Sequence, residues 1–341
     1  MCGDVRTSVL FMAASRVSYV RSVRSRLPWT QPEWLAEATA WIRARVKVTG
    51  EIEQLHVRWW STVLRVPTAE GDLFFKAVAP IHQFEAALTA RLAELQPGRV
   101  TEVVDVDPER GWFLMRDAGT RLRELVATRA DLRHWERVLP EYARLQIEVA
   151  PHAGELLALG VPDERLAVLP DLLQELLARR PHGLTDDEHR QALAAVPRFE
   201  EMCKELADDG LPETIQHDDL HDGQVFVRDG RYLVFDWGDS CVSHPLLSLT
   251  VNLRSVAWRL DLEPGGHELR RLRDIYLEPF GRGPEFADIA YRVGTVARGI
   301  AWDRMVSARE SEFVDEDDLT GPAYGIKLFL AGGPIGTWQE P

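Results

Sequence analysis

Apolar positions along this chain of 341 residues change period part-way through. Trp34, Ala38, Trp41 and Ile42 recur at helical spacing after Pro28, and Thr49-Gly50 closes the segment, which predicts an N-terminal helix. Residues 52–59, 62–67 and 73–78 then read as three short strands, with a polar turn over 68–72 between the last two. A helix is predicted over 82–95, strands over 100–106 and 112–116, and a break at Asp117-Ala118-Gly119. From Leu122 onward the three-and-four spacing of helices dominates, over 131–149, 163–180, 185–208, 244–260, 266–279 and 285–307. In the last of these Phe286, Ile289, Ala290, Val293, Val296, Ala297 and Ile300 form one stripe, and a single hairpin at 224–236 interrupts the series. Strands first and helices second predict an α+β chain with a cleft between two lobes, without internal repeats. The divisions are an arm over 1–27, a helix-plus-strand lobe over 28–116 and a helical lobe over 117–341.

With 45% hydrophobic residues the chain can bury a core and is no disordered polymer. The formal charge, 40 − 54 = −14, argues against a protein built to neutralise nucleic-acid phosphates. Cys2, Cys203 and Cys241 are far apart and form no CxxC, so neither a disulfide framework nor a structural zinc site is expected, and a reducing cytoplasm is. No apolar run approaches the roughly 18–20 residues that span a bilayer, and no membrane role is expected. Residues 1–27 carry Arg6, Arg16, Arg21, Arg24 and Arg26 against Asp4 alone, with a short apolar patch around 9–14 upstream of most of the charge, the reverse of a signal peptide. They read as a disordered basic extension or the product of an upstream start, ahead of an arm for a membrane surface or anionic partner. Lysines number only four, Lys47, Lys76, Lys204 and Lys327, so a lysine inside an apolar strand stands out.

The densest polar run is Gln216-His217-Asp218-Asp219-Leu220-His221-Asp222-Gly223-Gln224, followed by two apolar runs that flank Asp229-Gly230. Asp-Gly in that position is a two-residue hairpin turn. It pairs Arg228 with Arg231, Val227 with Tyr232, Phe226 with Leu233 and Val225 with Val234, so Gln224 and Asp236 emerge side by side at the open end. Asp219, five residues earlier, can converge on them. Two oxygen ligands and a carboxylate within reach of a hydroxyl suit magnesium-dependent phosphoryl transfer, because the hard cation prefers oxygen and keeps waters and phosphates as its other ligands.

This run resembles the catalytic loop of the aminoglycoside phosphotransferases and the related choline-kinase-like and sugar kinases, His-Gly-Asp-Leu-His-x-Gly-Asn, with a later Asp at the Asp-Phe-Gly position. The resemblance implies a bilobal protein-kinase-like fold, a strand-rich nucleotide-binding lobe and a helical lobe bearing the catalytic hairpin. It implies Asp219 as the catalytic aspartate, and Gln224 and Asp236 as the metal ligands, with ATP or another nucleoside triphosphate and Mg2+ as cofactors. Asp218 replaces the usual Gly, and Gln224 the usual Asn, the latter similar to the maltokinase and bacterial glucosamine-kinase branch.

Lys76 lies inside the apolar strand Leu73-Phe74-Phe75-Lys76-Ala77-Val78, and Glu85 falls on the edge of the next helix's apolar face with Leu88 and Leu92, where it wants a cation. The two resemble the kinase lysine–glutamate pair that holds the phosphates. The Gly-rich loop is missing, and Trp59-Trp60-Ser61-Thr62 stands in its place, so Ser61 and Thr62 become the phosphate-facing candidates. Met115 and Arg116, leading into the interlobe hinge, are the candidates nearest adenine.

His217 and His221 read as structural braces of the loop, and Asp222 and Asp239 as secondary candidates facing the substrate. Glu310, Glu312, Asp315, Glu316, Asp317 and Asp318 form an acidic run that reads first as a charged loop and second as a lip steering amines. Trp41, Trp135 and Trp258 sit on helical apolar stripes and are expected in the core. The leading function is an ATP-dependent kinase of a small hydroxyl-bearing molecule, an aminoglycoside or related aminated compound if the acidic balance reflects its charge. A sugar or amino sugar is the alternative; a metal-dependent hydrolase using His217, Asp219, His221 and Asp236, and a catalytically silent binding module, rank below.

Overall fold

The computed structural model describes residues 27–308 and 316–337. The expected basic arm therefore lies outside the described residues except for Leu27, which is buried against Trp29 and Ala79. Glu310, Glu312 and Asp315 of the acidic run also lie outside them, as do the side chains of Glu316, Asp317 and Asp318.

Helix α1 (Pro32–Arg43) opens on a proline, whose fixed φ suits a first turn. It lies on an antiparallel sheet of five strands, β1 (Glu53–Val57), β2 (Ser61–Thr68), β3 (Gly71–Val78), β4 (Val103–Asp107) and β5 (Trp112–Arg116), in the order β1-β2-β3-β5-β4. Helix α2 (Phe84–Leu95) takes the other face. Strand period decides which residues each helix sees. Leu73, Phe75 and Ala77 pack with Ala38, Trp41 and Ile42 of α1, together with Trp112 and Leu114. Phe74, Val78, Phe113 and Met115 pack with Ala86 of α2. Lys76, of the second parity, points its ammonium over the Phe113 ring at 5.9 Å. Alternation thus carries the lysine to the cleft face.

The expected strand over 100–106 begins only at Val103. Val100 leaves the sheet to bridge Val234, and Val234 N–H donates to Arg99 O at 2.8 Å, tying the strand lobe to the hairpin expected over 224–236. The helical lobe holds α3 (Leu132–Val149), α4 (Ala153–Ala158), α5 (Leu169–Ala178), α6 (Asp186–Ala207), α7 (Leu249–Leu260), α8 (His267–Leu277), α9 (Ala287–Ser307) and α10 (Glu316–Ala331). Helix α6 starts with a reciprocal cap between Thr185 and Glu188, two residues of the Ser/Thr-x-x-Glu pattern.

Three expectations are corrected. The hairpin is not alone: β8 (Val225–Arg228) and β9 (Arg231–Val234) are joined by β6 (Thr120–Arg121), and β7 (Thr214–Gln216) pairs with β10 (Cys241–Ser243). An isolated hairpin is marginal in water, and the third strand supplies its missing ladder. The helix expected over 163–180 begins at Leu169, because Asp163 and Glu164 bond instead to Val242 of β10. Trp41 and Trp135 are core, but Trp258 on α7 is 57% exposed: the buried face of that helix runs through Leu249, Leu253, Val256, Ala257 and Leu260, and Trp258 falls off it.

Candidate active site

The hairpin adopts the register that Asp229-Gly230 requires, Arg228 opposite Arg231 through Val225 opposite Val234. Asp229 (φ 51°) and Gly230 (φ 75°) are both left-handed, as a type I′ turn demands. At the open end Phe235 N–H donates to Gln224 O at 2.9 Å, so Gln224 and Asp236 emerge together. The loop before β8 is held by His217, whose Nε2 bonds Phe235 O at 2.8 Å and whose Nδ1 accepts from Asp219 N–H at 3.3 Å. Burial lowers the His217 pKa and keeps the ring neutral.

Lys76 donates to Glu85 Oε1 at 2.6 Å and to Asp236 Oδ1 at 2.5 Å. The lysine and glutamate are buried, whereas the Asp236 side chain is 40% exposed to the cleft. Burial alone would lower the Lys76 pKa, but Asp236 first and Glu85 second outweigh it and hold it above the ordinary value. Burial pushes Glu85 up to about 7 against the pull of Lys76, and Lys76 overrides burial at Asp236 and lowers it. Close approach of the lobes here needs Gly238: a Cβ there would sit 3.0 Å from Glu85 Oε2, while Gly238 O bonds His82 Nδ1 at 2.8 Å.

Asp219 is held through both of its oxygens. Gln224 Nε2 donates to its Oδ2 at 3.1 Å, and His221 Nε2 lies 3.3 Å from the same oxygen. His221 Nδ1 accepts from Gly223 N–H at 2.8 Å, which places the ring proton on Nε2, facing Asp219. The other oxygen, Oδ1, accepts from Arg298 at 3.1 Å. Burial would raise the Asp219 pKa, yet Arg298, with His221 and Gln224, holds it well below the ordinary carboxylate range.

Arg298, on α9, did not figure among the sequence candidates. Its guanidinium also reaches Asp218 Oδ2 at 3.1 Å and Asp239 Oδ2 at 3.0 Å, so one cation serves three carboxylates. A signal was present: an arginine surrounded by Gly294, Ala297 and Ala301 in a helix buried on nearly all sides must be paired. Asp218, where the resembling motif has Gly, sits at φ 58° and is buried, a left-handed position that favours glycine. Burial pushes its carboxyl up to about 7, with Arg298 pulling the other way.

The remaining sequence candidates are placed as follows. Asp222 is buried and paired with Arg123 at 2.9 Å and Arg259 at 3.3 Å, which commits it to anchoring the loop. Asp239 is held by Arg298. Thr62 spends its hydroxyl inside the sheet, donating to His56 O at 2.7 Å and accepting from Gln54 Nε2 at 2.9 Å. Ser61 is buried at the start of β2, its carbonyl accepting from Arg58 N–H at 2.9 Å. Met115 is buried in the α2-face cluster with Phe74 and Phe235. Arg116 donates its N–H to Glu102 O at 3.0 Å and accepts at its carbonyl from Thr101 Oγ1 at 3.1 Å. The structure thus gathers Lys76, Glu85, Asp219, Gln224, Asp236 and Asp239 and leaves Thr62, Asp222 and the Arg116 backbone engaged elsewhere. His56 is a further residue the sequence reading passed over. It stands opposite Val63, which stands opposite Lys76, so all three share the cleft face, and burial, then Arg58 and Lys76, lower its pKa to about 4. A groove of about 850 Å³ lined by Arg99, Arg137, Glu141 and Arg231 holds none of these groups.

A bilobal protein-kinase-like fold with a lysine–glutamate pair facing a loop aspartate defines the phosphoryl-transfer class. The sequence model of the phosphotransferase enzyme family matches residues 51–286, more than half of the chain, and the chain belongs to that family. It is a small-molecule kinase acting on an alcohol group. Similar solved structures include the GDP complex of aminoglycoside 2'-phosphotransferase-IIIa, at TM-score 0.59 and 14% identity, covering 88% of this chain and 99% of that one. Choline kinase from Cryptosporidium parvum Iowa II is similar at TM-score 0.60 and 10% identity, covering 87% and 95%. Plasmodium vivax ethanolamine kinase is similar at TM-score 0.58 and 12% identity, covering 83% and 84%. At these identities the likeness is one of fold. No curated protein matches the sequence.

Proposed function

We propose that the protein transfers the γ-phosphate of ATP to a hydroxyl of a small molecule with Mg2+ as cofactor. The observation that carries the reading is the convergence of Lys76–Glu85 from one lobe on Asp236 from the other, with Asp219 and Gln224 beside it. The donor set fits magnesium. Gln224 spends its Nε2 on Asp219, leaving its amide oxygen as the free end, and Asp236 offers a part-exposed carboxylate at the adjacent position. Held by Gln224 and Asp236, the ion would neutralise charge on the phosphate oxygens.

Lys76 places a point charge on the non-transferred phosphates, and Glu85 restrains it. Asp219 orients the acceptor hydroxyl. A carboxylate held this far below its ordinary pKa is a weak base, which suits a loose transition state that asks for positioning and charge stabilisation more than early proton removal. With the Arg116 backbone engaged, and with Asp117 O taken by Arg228 and Gly119 N–H by Asp117 Oδ1, the hinge donor and acceptor for adenine fall to Ala118.

Two observations bear on the acceptor. Asp222 and Asp239, the sequence candidates for binding amines, are both arginine-paired, which favours an uncharged polyol such as a sugar over a polyamine. The acidic run over 310–318 supports the aminated reading, an aminoglycoside or amino sugar. The hydrolase reading loses support because both ring nitrogens of His217 and Nδ1 of His221 already have protein partners. Among the described residues no helix is long and apolar enough to cross a membrane, and Cys203 and Cys241 are buried free thiols, which supports a reducing compartment.

A coupled assay of ADP release against sugars, amino sugars, aminoglycosides and amino alcohols tests the proposal. One class is expected to stimulate turnover, with Asp219→Ala lowering it on the order of 10²–10⁴-fold while ATP still binds. Full activity in Asp219→Ala would remove the assignment.

A further inference from the structure

Arg298 is the least expected member of the site. It comes from α9, some eighty residues beyond the catalytic loop, and α9 can lie this deep because it crosses α10 at two glycines. A Cβ on Gly325 would meet Thr295 O at 2.4 Å and Gly299 Cα at 3.0 Å. The result is an arginine side chain 9% exposed, with one terminal nitrogen bridging Asp218 and Asp239 and the other on Asp219 Oδ1.

A flat guanidinium fork can fix three carboxylates in one plane, which a lysine's point charge cannot. Asp219 Oδ2 is already bonded by Gln224 and His221, so Arg298 supplies the contact that stops the carboxylate from rotating about its Cβ–Cγ bond. Asp239 and Asp218 hold the fork in turn. Asp239 follows Asp236 by three residues, so the same arginine also ties the metal-ligand segment to the loop.

We propose that Arg298 is a positioning residue for phosphoryl transfer: it acts through Asp219, fixing the carboxylate that orients the acceptor hydroxyl, with Asp218 and Asp239 as its supports. This rests on Asp219 having the role given above.

A double-mutant cycle of Arg298→Gln with Asp219→Asn tests it, using Mg-ATP as donor and water as acceptor, read as phosphate release. Arg298→Gln is expected to lower kcat on the order of 10²-fold, the usual cost of a misplaced reacting group, with the KM for ATP nearly unchanged. Arg298→Lys should recover part of the loss by keeping the charge. In the Asp219→Asn background Arg298→Gln should cost little further, since it has nothing left to position. Losses that multiply, or a KM that rises with kcat unchanged, would overturn the inference. Turnover in the parent protein that is indifferent to Asp219 would instead overturn the function proposed above. A crystal structure of the Arg298→Gln protein reads the same point without turnover: the Asp219 carboxylate should rotate off its present contacts, and its staying in place would count against Arg298.

Discussion

Two buried charge clusters meet at the cleft, and they are built on opposite principles. At Lys76 one compact ammonium from a strand faces two carboxylates, and the outer one, Asp236, is open to solvent. At Arg298 one planar guanidinium from a helix faces three, all in the helical lobe. The first crosses the interlobe cleft and leaves Asp236 open to a ligand; the second lies within one lobe, its arginine buried and shared among three carboxylates. On the function proposed above, the difference means that the nucleotide side is arranged to trade partners and the acceptor side to hold still.

Breaking the first cluster should have the largest effect. Lys76→Met leaves Glu85 buried without its cation, and removing one partner of such a pair costs about 3–5 kcal/mol. Thermal unfolding should show that loss, and phosphate release should fall on the order of 10²–10³-fold, as expected for deleting one charge stabiliser. Unchanged unfolding would mean that the pair carries no strain of burial.

Both clusters should respond to pH. Asp218 and Glu85 both have carboxyls pushed up to about 7 by burial, above the values of about 4 they take in an unfolded chain. These two groups therefore bind more protons in the folded protein, and the stability they contribute is full below pH 4 and is lost as pH rises through 7, against the opposite contribution of His56 and His217, which burial keeps neutral. The melting temperature of the parent should fall relative to that of Asp218→Asn between pH 5 and pH 7.5, and a difference that does not change over that interval would contradict the burial assigned to Asp218.

Asp218→Gly sharpens the comparison further. The substitution removes a left-handed non-glycine residue, worth roughly 1–2 kcal/mol, and one raised carboxyl. Arg298 keeps Asp219 and Asp239. Melting should rise or hold, its pH slope should flatten, and kcat should stay within a few-fold; a collapse in kcat would show that the fork needs all three carboxylates. The smallest effect is expected at the exposed Trp258, where Trp258→Ser should move stability by no more than about 0.5 kcal/mol in urea unfolding.

Legibility in the sequence followed contact distance. Lys76 and Glu85 are nine residues apart, the hairpin closes over two residues, and Asp219 precedes Gln224 by five, so period and turn chemistry were enough to bring them together. Arg298 was passed over because nothing local to α9 says that its neighbours are Asp218 and Asp239. Thr62 and Asp222 looked available as phosphate and substrate groups, since a hydroxyl or carboxylate in a loop reads as free until its partners, His56 O or Arg123 and Arg259, are packed against it.

The sequence by itself determined the alternation that turns Lys76 to the cleft, the helical edge that offers Glu85, and the Asp-Gly register that sets Gln224 beside Asp236. These are short-range consequences of the period of two, the period of 3.6 and a turn that needs positive φ. Only the tertiary structure decided how the carboxylates are shared: which stay open to a ligand, which are closed by arginine, and that an arginine on a distant helix holds Asp219. That choice depends on helix packing, set where glycines let α9 and α10 touch, and no local pattern encodes the neighbour across such a contact.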